Sequence, residues 1–370
     1  MFSPKYLLVA GARPNFMKIA PIHKAFSSRR NGHSDAELLL VHTGQHYSQN
    51  MSDDFFRDPG IPEPDINLDV GSGSNEEQIA RIMIAFEPVC LKHRPDCVIV
   101  VGDVNSTVAC ARTAKTLGIC VAHVEAGLRS RDMSMPEEIN RLSTDAISDL
   151  LFTTDTIADE NLRTEGVADE KIHFVGNTMI DTLRQHIGRA RLLPLPDGLA
   201  VGQYAVLTLH RPANVDSHDS LPLILRAINA IADRMPIVFP LHPRTAPRLN
   251  EMELHPRIRV LEPMSYLPFL GLVARARLVL TDSGGIQEET TVLGIPCLTM
   301  RPNTERPITC EIGTNILVDT DPRRIVKEAN SVLDGNIRHS TIPEKWDGRA
   351  AERIVDVLSH TPKVARLVCQ

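Results

Sequence analysis

Residues 281–307 read TDSGGIQEETTVLGIPCLTMRPNTERP, and this stretch decides the fold. The apolar run 276–280 just before it reads as a buried strand. Asp282-Ser283-Gly284-Gly285 reads as a polar turn, and residues 286–293 as a helix stopped at Gly294. A strand, a Ser-Gly-Gly turn and a helix N-terminus aim several backbone N–H groups one way. Those groups and the helix dipole both favour an anion, and the two glycines let a bulky one approach closely. A Gly-Gly turn alone is equally compatible with a tight connection. Two features tip the balance: Glu289 lies about one helical turn in, and Thr304-Glu305-Arg306-Pro307 follows the next strand, 296–300. A carboxylate bonds ribose hydroxyls, and Arg306 reaches the same anion. The stretch is read as a nucleotide diphosphate site.

The grammar of strand, polar turn and helix repeats on both sides of it. Towards the N-terminus of this half, strands at 204–209, 237–241 and 257–261 end in His210-Arg211-Pro212-Ala213-Asn214, His242-Pro243-Arg244 and a Pro263–Phe269 segment. A histidine ending a strand is more often structural than catalytic. Two of them, His210 and His242, each followed closely by arginine, point towards a polyanion. The Pro-rich stretch 192–198, LLPLPDG, is the linker candidate. Before it, strands at 6–10, 38–42, 97–101 and 119–124 alternate with helices, which indicates a doubly wound parallel sheet. The expected organisation is α/β: two Rossmann-like domains, 1–191 and 199–370, with the last helix able to pack back on the first.

Composition agrees with this class. A chain of 370 residues allows two domains, and 42% apolar residues supply sizeable cores. A net charge of −6 argues against nucleic-acid binding. The N-terminal apolar run is too short for a signal peptide, and no window reaches the length of a membrane span. Seven scattered cysteines form no Cys-x-x-Cys pair and read as core thiols of a reducing cytoplasm. No metal spacing is present.

In the first half, Asp103 and Glu125 each close a buried strand at its carboxyl end, where open α/β sheets bind ligands. Arg13 and Lys18 stand at the start of a helix, where cations oppose the dipole and so suggest a neighbouring anion. Glu137 and Glu138 follow Pro136 in a helix's first turn, where acids ordinarily just complement the dipole.

Taken in order, GARPNFMKIAPI, HTGQHY, GDVNST, HVEAGLRS, MPEEINR, LHRPANVD, PMSYLPF and TDSGGIQEET…TERP make the chain resemble the non-hydrolysing UDP-N-acetylglucosamine 2-epimerases over nearly its whole length. The resemblance implies a fold like the GT-B glycosyltransferases, an active site in the interdomain cleft and a homodimer. It also implies interconversion of UDP-GlcNAc and UDP-ManNAc by anti elimination of UDP, through 2-acetamidoglucal, with no cofactor. Residue by residue, it assigns acid–base work to Asp103, Glu125 and Glu137, so Glu137 is more than a dipole partner. His210 assists at the phosphates; Arg13, Lys18, Ser283, Gly284, Gly285 and Arg306 surround the diphosphate; Glu289 holds the ribose and Phe269 flanks the uracil. His242 is kept with the substrate-binding set.

The chain departs from the family at Ala12-Arg13-Pro14-Asn15, where many members have Thr-Arg-Pro-Glu. It departs again at His210-Arg211-Pro212-Ala213-Asn214, where many have His-Arg-Arg-Glu-Asn, and at Met264, where some carry a polar residue for uracil. These positions bear on the sugar and on allostery. Gln45 and His46 of the effector motif are present, but the 71–74 loop offers no arginine, so weak or absent allostery is expected. Three other readings stay open: a hydrolysing epimerase, a 2-epimerase of a modified UDP-amino sugar, and a GT-B glycosyltransferase.

Overall fold

The computed structural model describes residues 4–11, 13–30, 36–44, 63–249 and 252–360. They form two compact units: residues up to Thr182 together with those from Glu344 onward, and Leu183–Pro343.

The first unit runs β1 (Lys5–Ala10), α1 (Arg13–Arg30), β2 (Glu37–His42), β3 (Ile66–Asn67), α2 (Asn75–His93) and β4 (Cys97–Val101). It continues through α3 (Asn105–Thr116), β5 (Cys120–Ala126), α4 (Pro136–Ile147), β6 (Leu150–Thr153), α5 (Thr156–Thr164) and β7 (Ile172–Phe174) to α6 (Thr178–Leu192). The division between the units falls within α6. Among the described residues the strands make one sheet in the order β3-β2-β1-β4-β5-β6-β7, every pair parallel. The order reverses between β1 and β4, which is where ligands enter doubly wound sheets. The central strands are buried on both faces, so β4 is the unbroken apolar run CVIVV rather than an alternating one. Ser74 and Glu77 form a reciprocal capping box that starts α2.

The second unit runs β8 (Ala205–Thr208), α7 (Pro212–Val215), α8 (Ser220–Ala232), β9 (Ile237–Pro240), α9 (Ala246–Leu249), β10 (Ile258–Leu261) and α10 (Tyr266–Val273). Then follow β11 (Leu278–Thr281), α11 (Gly284–Leu293), β12 (Cys297–Thr299), α12 (Pro307–Glu311), β13 (Asn315–Leu317) and α13 (Pro322–Leu333). Its sheet, also parallel throughout, has the order β10-β9-β8-β11-β12-β13, with the reversal between β8 and β11.

The last described helix, α14 (Ala350–His360), belongs to the first unit. Asp181 caps it, accepting from the N–H groups of Ala350 at 3.0 Å and Ala351 at 2.7 Å. Tyr6 donates to the Leu358 carbonyl, and the fully buried Trp346 indole donates to the Thr154 carbonyl. The α/β class with two parallel sheets is the one expected. Two local readings change. Helix α1 starts at Arg13 rather than near Phe16, and α11 already starts at Gly284, so both glycines lie in its first turn. Strands β3, β6, β7 and β13 are two to four residues long, too short for a periodic signal.

Candidate functional site

At the switch point of the first unit, Gly102 follows β4 with φ 72°. A Cβ there would stand 3.2 Å from Lys18 Nζ, 3.3 Å from Glu125 Oε2 and 3.5 Å from Asn15 Nδ2. Glycine is therefore needed both for the backbone and for the convergence of these groups. Lys18, in the second turn of α1, forms an ion pair with Glu125. The anion that its position called for is thus partly supplied by the protein itself. Glu125 is buried and adopts φ 72°, beside a register shift in the β5–β6 pairing between Val124 and Ala126. A bulge of this kind re-aims a side chain, and a non-glycine residue held at positive φ costs roughly 1–3 kcal/mol.

Asp103, half-buried, pairs with the guanidinium of Arg141, whose other nitrogen meets Glu138. Asn140 donates to the Asp103 carbonyl at 3.0 Å and to Asn105 at 3.1 Å. The consecutive acids of α4 have opposite surroundings: Glu137 is exposed, whereas Glu138 is buried. Burial raises the Glu138 carboxyl, but hydrogen bonds from the Ser130 N–H and hydroxyl and the Arg131 N–H, with Arg141, outweigh it and hold the group below its ordinary value. Glu138 is thus a clamp on the 130–131 loop, and Glu137 is left to face solvent or substrate. The Arg13 side chain and residues Gln45 and His46 lie outside the described residues.

In the second unit the corresponding point is built around Asp282, which is fully buried at the end of β11. Its carboxylate accepts from the N–H groups of His210 at 3.0 Å and Arg211 at 2.9 Å, from Asn214 at 3.2 Å, and meets His210 Nδ1 at 2.9 Å. Burial raises this carboxyl; His210 and the two N–H groups outweigh it, so it is held low. Nδ1 of the partly exposed His210 is thereby committed to Asp282, and Nε2 is the nitrogen it offers to a ligand. The exposed His242 ring lies 5.5 Å from it, centroid to centroid.

Ser283 is the N-cap of α11, with φ −80° and ψ 140°, and its side chain does not cap the helix. The first-turn N–H groups thus keep the anion-receptive character of a helix N-terminus. Beside them, Glu305 is surrounded by Arg306 at 2.6 Å, Arg301 at 2.8 Å and Arg211 at 3.5 Å. Burial raises the Glu305 carboxyl, but the three guanidiniums hold it well below its ordinary value. Arg306 also meets Glu288 at 2.8 Å. A Cβ on Gly284 would stand 2.6 Å from Arg306 Nη1, so glycine lets the Arg306 guanidinium lie against the helix start without being pushed aside. Arg211, Arg301 and Arg306 thus stand among three carboxylates, Glu288, Glu305 and Asp282.

Glu289 is buried and accepts from the Tyr266 hydroxyl at 2.9 Å. Burial pushes it up to about 7; the Tyr266 bond lowers it and the Glu288 charge raises it further. Phe269 is half-buried and packs on the core that includes Tyr204, Val206 and Val279. Of the residues singled out from sequence, the structure brings Lys18 to Glu125, the His210 ring to that of His242, and Arg306 to Gly284. Among the described residues it shows no contact of exposed Glu137 with Asp103 or Glu125, and it ties Arg141, Glu138, His123, Asp145, Asp282 and Glu305 into the surrounding networks. Most of these sit inside the quoted motifs. Their roles were invisible because a buried charge declares itself only through its partner.

The family model for UDP-N-acetylglucosamine 2-epimerase matches residues 29–359. The chain is 40% identical over 364 residues to a UDP-N-acetylglucosamine 2-epimerase of Methanococcus maripaludis, covering 95% of this chain and 97% of the relative. It is also 40% identical over 361 residues to a UDP-2,3-diacetamido-2,3-dideoxy-D-glucuronate 2-epimerase of Pseudomonas aeruginosa, covering 96% and 99%. Among solved structures, the Methanocaldococcus jannaschii UDP-GlcNAc 2-epimerase in complex with UDP-GlcNAc and UDP matches with a TM-score of 0.87 at 41% identity, covering 96% and 99%.

Proposed function

Since the chain belongs to the UDP-N-acetylglucosamine 2-epimerase family, we propose that it inverts C2 of UDP-GlcNAc reversibly to give UDP-ManNAc. The C2 proton of such a sugar has no adjacent carbonyl to acidify it, so simple removal and return is implausible. Anti elimination avoids that difficulty. A base takes the C2 proton, the C–H electrons become the C1–C2 double bond, and UDP leaves with the C1–O pair. The glucal then accepts a UDP oxygen at C1 and a proton at C2 on the opposite face. Positioned acids and bases contribute about 10²–10⁴-fold to such steps, and fixed cations stabilise the departing diphosphate.

In this reading the first unit supplies the acid–base set: Asp103, Glu125 and Glu137. The second unit, Leu183–Pro343, holds UDP. The Ser283-Gly284-Gly285 turn with Arg306 takes the diphosphate, assisted by His210 and His242, and Arg13 and Lys18 add charge. Glu289 serves the ribose and Phe269 the uracil. The observation that carries the reading is the pair Asp103 and Glu125, at the carboxyl ends of the adjacent strands β4 and β5 beside the switch point, with Glu125 held in a strained conformation. We take the working form to be a cytoplasmic homodimer; a single-chain mass by light scattering would overturn the dimer.

A second substrate, a UDP-2,3-diacetamido uronate, is favoured by the equal identity to the Pseudomonas relative. Incubation with each sugar in D2O, followed by proton NMR, decides. UDP-GlcNAc and UDP-ManNAc deuterated at C2, with little free UDP, is the expected result. Free UDP with ManNAc would make the enzyme hydrolysing. Exchange only in the uronate would move the substrate assignment, and exchange in neither would overturn epimerisation of these sugars.

A further inference from the structure

Gly102 is gripped by two consecutive residues of β5. Its N–H donates to the Val124 carbonyl at 3.0 Å, and its carbonyl meets His123 Nε2 at 2.8 Å. The next residue on each strand is a candidate carboxylate: Asp103 after Gly102 and Glu125 after Val124. The His123 ring is fully buried, and its Nδ1 lies 2.6 Å from Asp145 Oδ1. Asp145 in turn accepts from Arg129 at 2.7 Å and from the Gly127 N–H at 3.1 Å, and Arg129 is bound in bidentate fashion by Glu165. A carbonyl only accepts, so Nε2 carries the proton it shares with Gly102. Burial raises the Asp145 carboxyl, but His123 and Arg129 outweigh this and hold it low, so it too accepts.

Burying such a chain of charges is a poor way to gain stability, because apolar side chains of similar volume often do as well or better. Its distinctive effect is geometric: it fixes one backbone carbonyl from behind. We infer that His123, oriented by Asp145 and Arg129, is a positioning residue that sets the Gly102–Asp103 turn against Glu125 for the C2 proton transfer. This rests on the proposed epimerisation. A displacement of about 1 Å between reacting groups costs about a hundredfold in rate, so the network acts on kcat and leaves UDP binding in the other unit alone.

The test compares His123→Asn, His123→Gln and Arg129→Lys with the wild type. The readouts are kcat for C2 exchange in D2O, KM for the UDP-sugar, the Kd of UDP and the circular dichroism of each protein. The glutamine amide reaches roughly where Nε2 stood, whereas the asparagine amide stops near Nδ1. His123→Asn should lose about a hundredfold in kcat at unchanged KM and UDP affinity, and His123→Gln should recover most of it. Arg129→Lys, which keeps charge but not the planar fork, should lose about tenfold. Folded His123→Asn at wild-type kcat, or equal losses in KM and kcat with no recovery by glutamine, would overturn the inference. If His123→Asn fails to fold, full kcat in Arg129→Lys overturns it and a selective kcat loss there supports it. A wild type that exchanges no C2 proton in either sugar would instead remove the epimerase reading on which the inference stands.

Discussion

The two units repeat one topology and put opposite chemistry at the same place. In each, the strand order of a parallel sheet reverses between its first and fourth strands, β1/β4 in one and β8/β11 in the other. In the first, that edge carries carboxylates, Asp103 and Glu125, each held by a cation. In the second, it carries a helix N-terminus flanked by three arginines, and the carboxylates there, Asp282 and Glu305, are buried as supports. Topology selects where a ligand binds, while the residue that follows each strand selects what is done to it. The carboxylates of the two edges differ in their surroundings: Glu125 is held at positive φ and Asp103 is half-buried, whereas Asp282 and Glu305 are buried with their oxygens filled by protein donors.

This division can be broken most directly at Asp103. Asp103→Asn should lower turnover by about 10³-fold while UDP affinity stays within a factor of two (roughly the error of a calorimetric titration). An active variant would remove Asp103 from the acid–base set.

In the second unit Glu289 is raised from 4.5 to about 7. A carboxyl raised in the folded state contributes stability that is fully present below its unfolded value and lost as pH rises through the folded one. Unfolding free energy should therefore fall between about pH 4.5 and 7 by about 3 kcal/mol from this group. Glu289→Gln, which can still accept from Tyr266, should remove that slope. Denaturant titrations at pH 4.5 and 8 check it, and parallel slopes in both proteins would contradict the assignment.

Arg306→Met tests the cationic side. It should weaken UDP binding about tenfold to a hundredfold and, because the same cation stabilises the departing diphosphate, also lower kcat. An effect on kcat alone would move Arg306 from the diphosphate to the sugar.

The smallest effect sharpens the comparison with two glycines of nearly identical φ, Gly102 at 72° and Gly294 at 71°. Nothing lies within 4 Å of a Cβ at Gly294, so Gly294→Ala should cost only the left-handed strain, about 1–2 kcal/mol. Activity should be unchanged. Gly102→Ala carries the same strain but crowds Lys18 and Glu125, and should also lower kcat about tenfold. Equal kinetics in both variants would mean that the Lys18–Glu125 pair needs no exact placement.

The long elements were readable because their signals are local. The apolar runs of β1 and β4, the run 204–209 that contains β8, the Pro136 start of α4 and the Gly294 stop of α11 each depend on residues a few positions apart. The carboxylates at 103 and 125 and the Ser-Gly-Gly turn could be placed at strand ends for the same reason. The short strands β6, β7 and β13 could not, since three or four residues have no period, and pairing with a neighbour creates them.

Taken alone, the sequence determined two doubly wound halves, an anion-receptive turn in the second and acids at strand ends in the first. These follow from periodicity and from the conformational limits of glycine and proline. Tertiary structure alone decided which charges are buried and which partners they meet. It separated exposed Glu137 from buried Glu138, joined Lys18 to Glu125 across 107 positions, and set three arginines around Glu305. The reason is physical: the free energy of a charge is fixed by its burial and its partner, and both come from parts of the chain that meet only on folding.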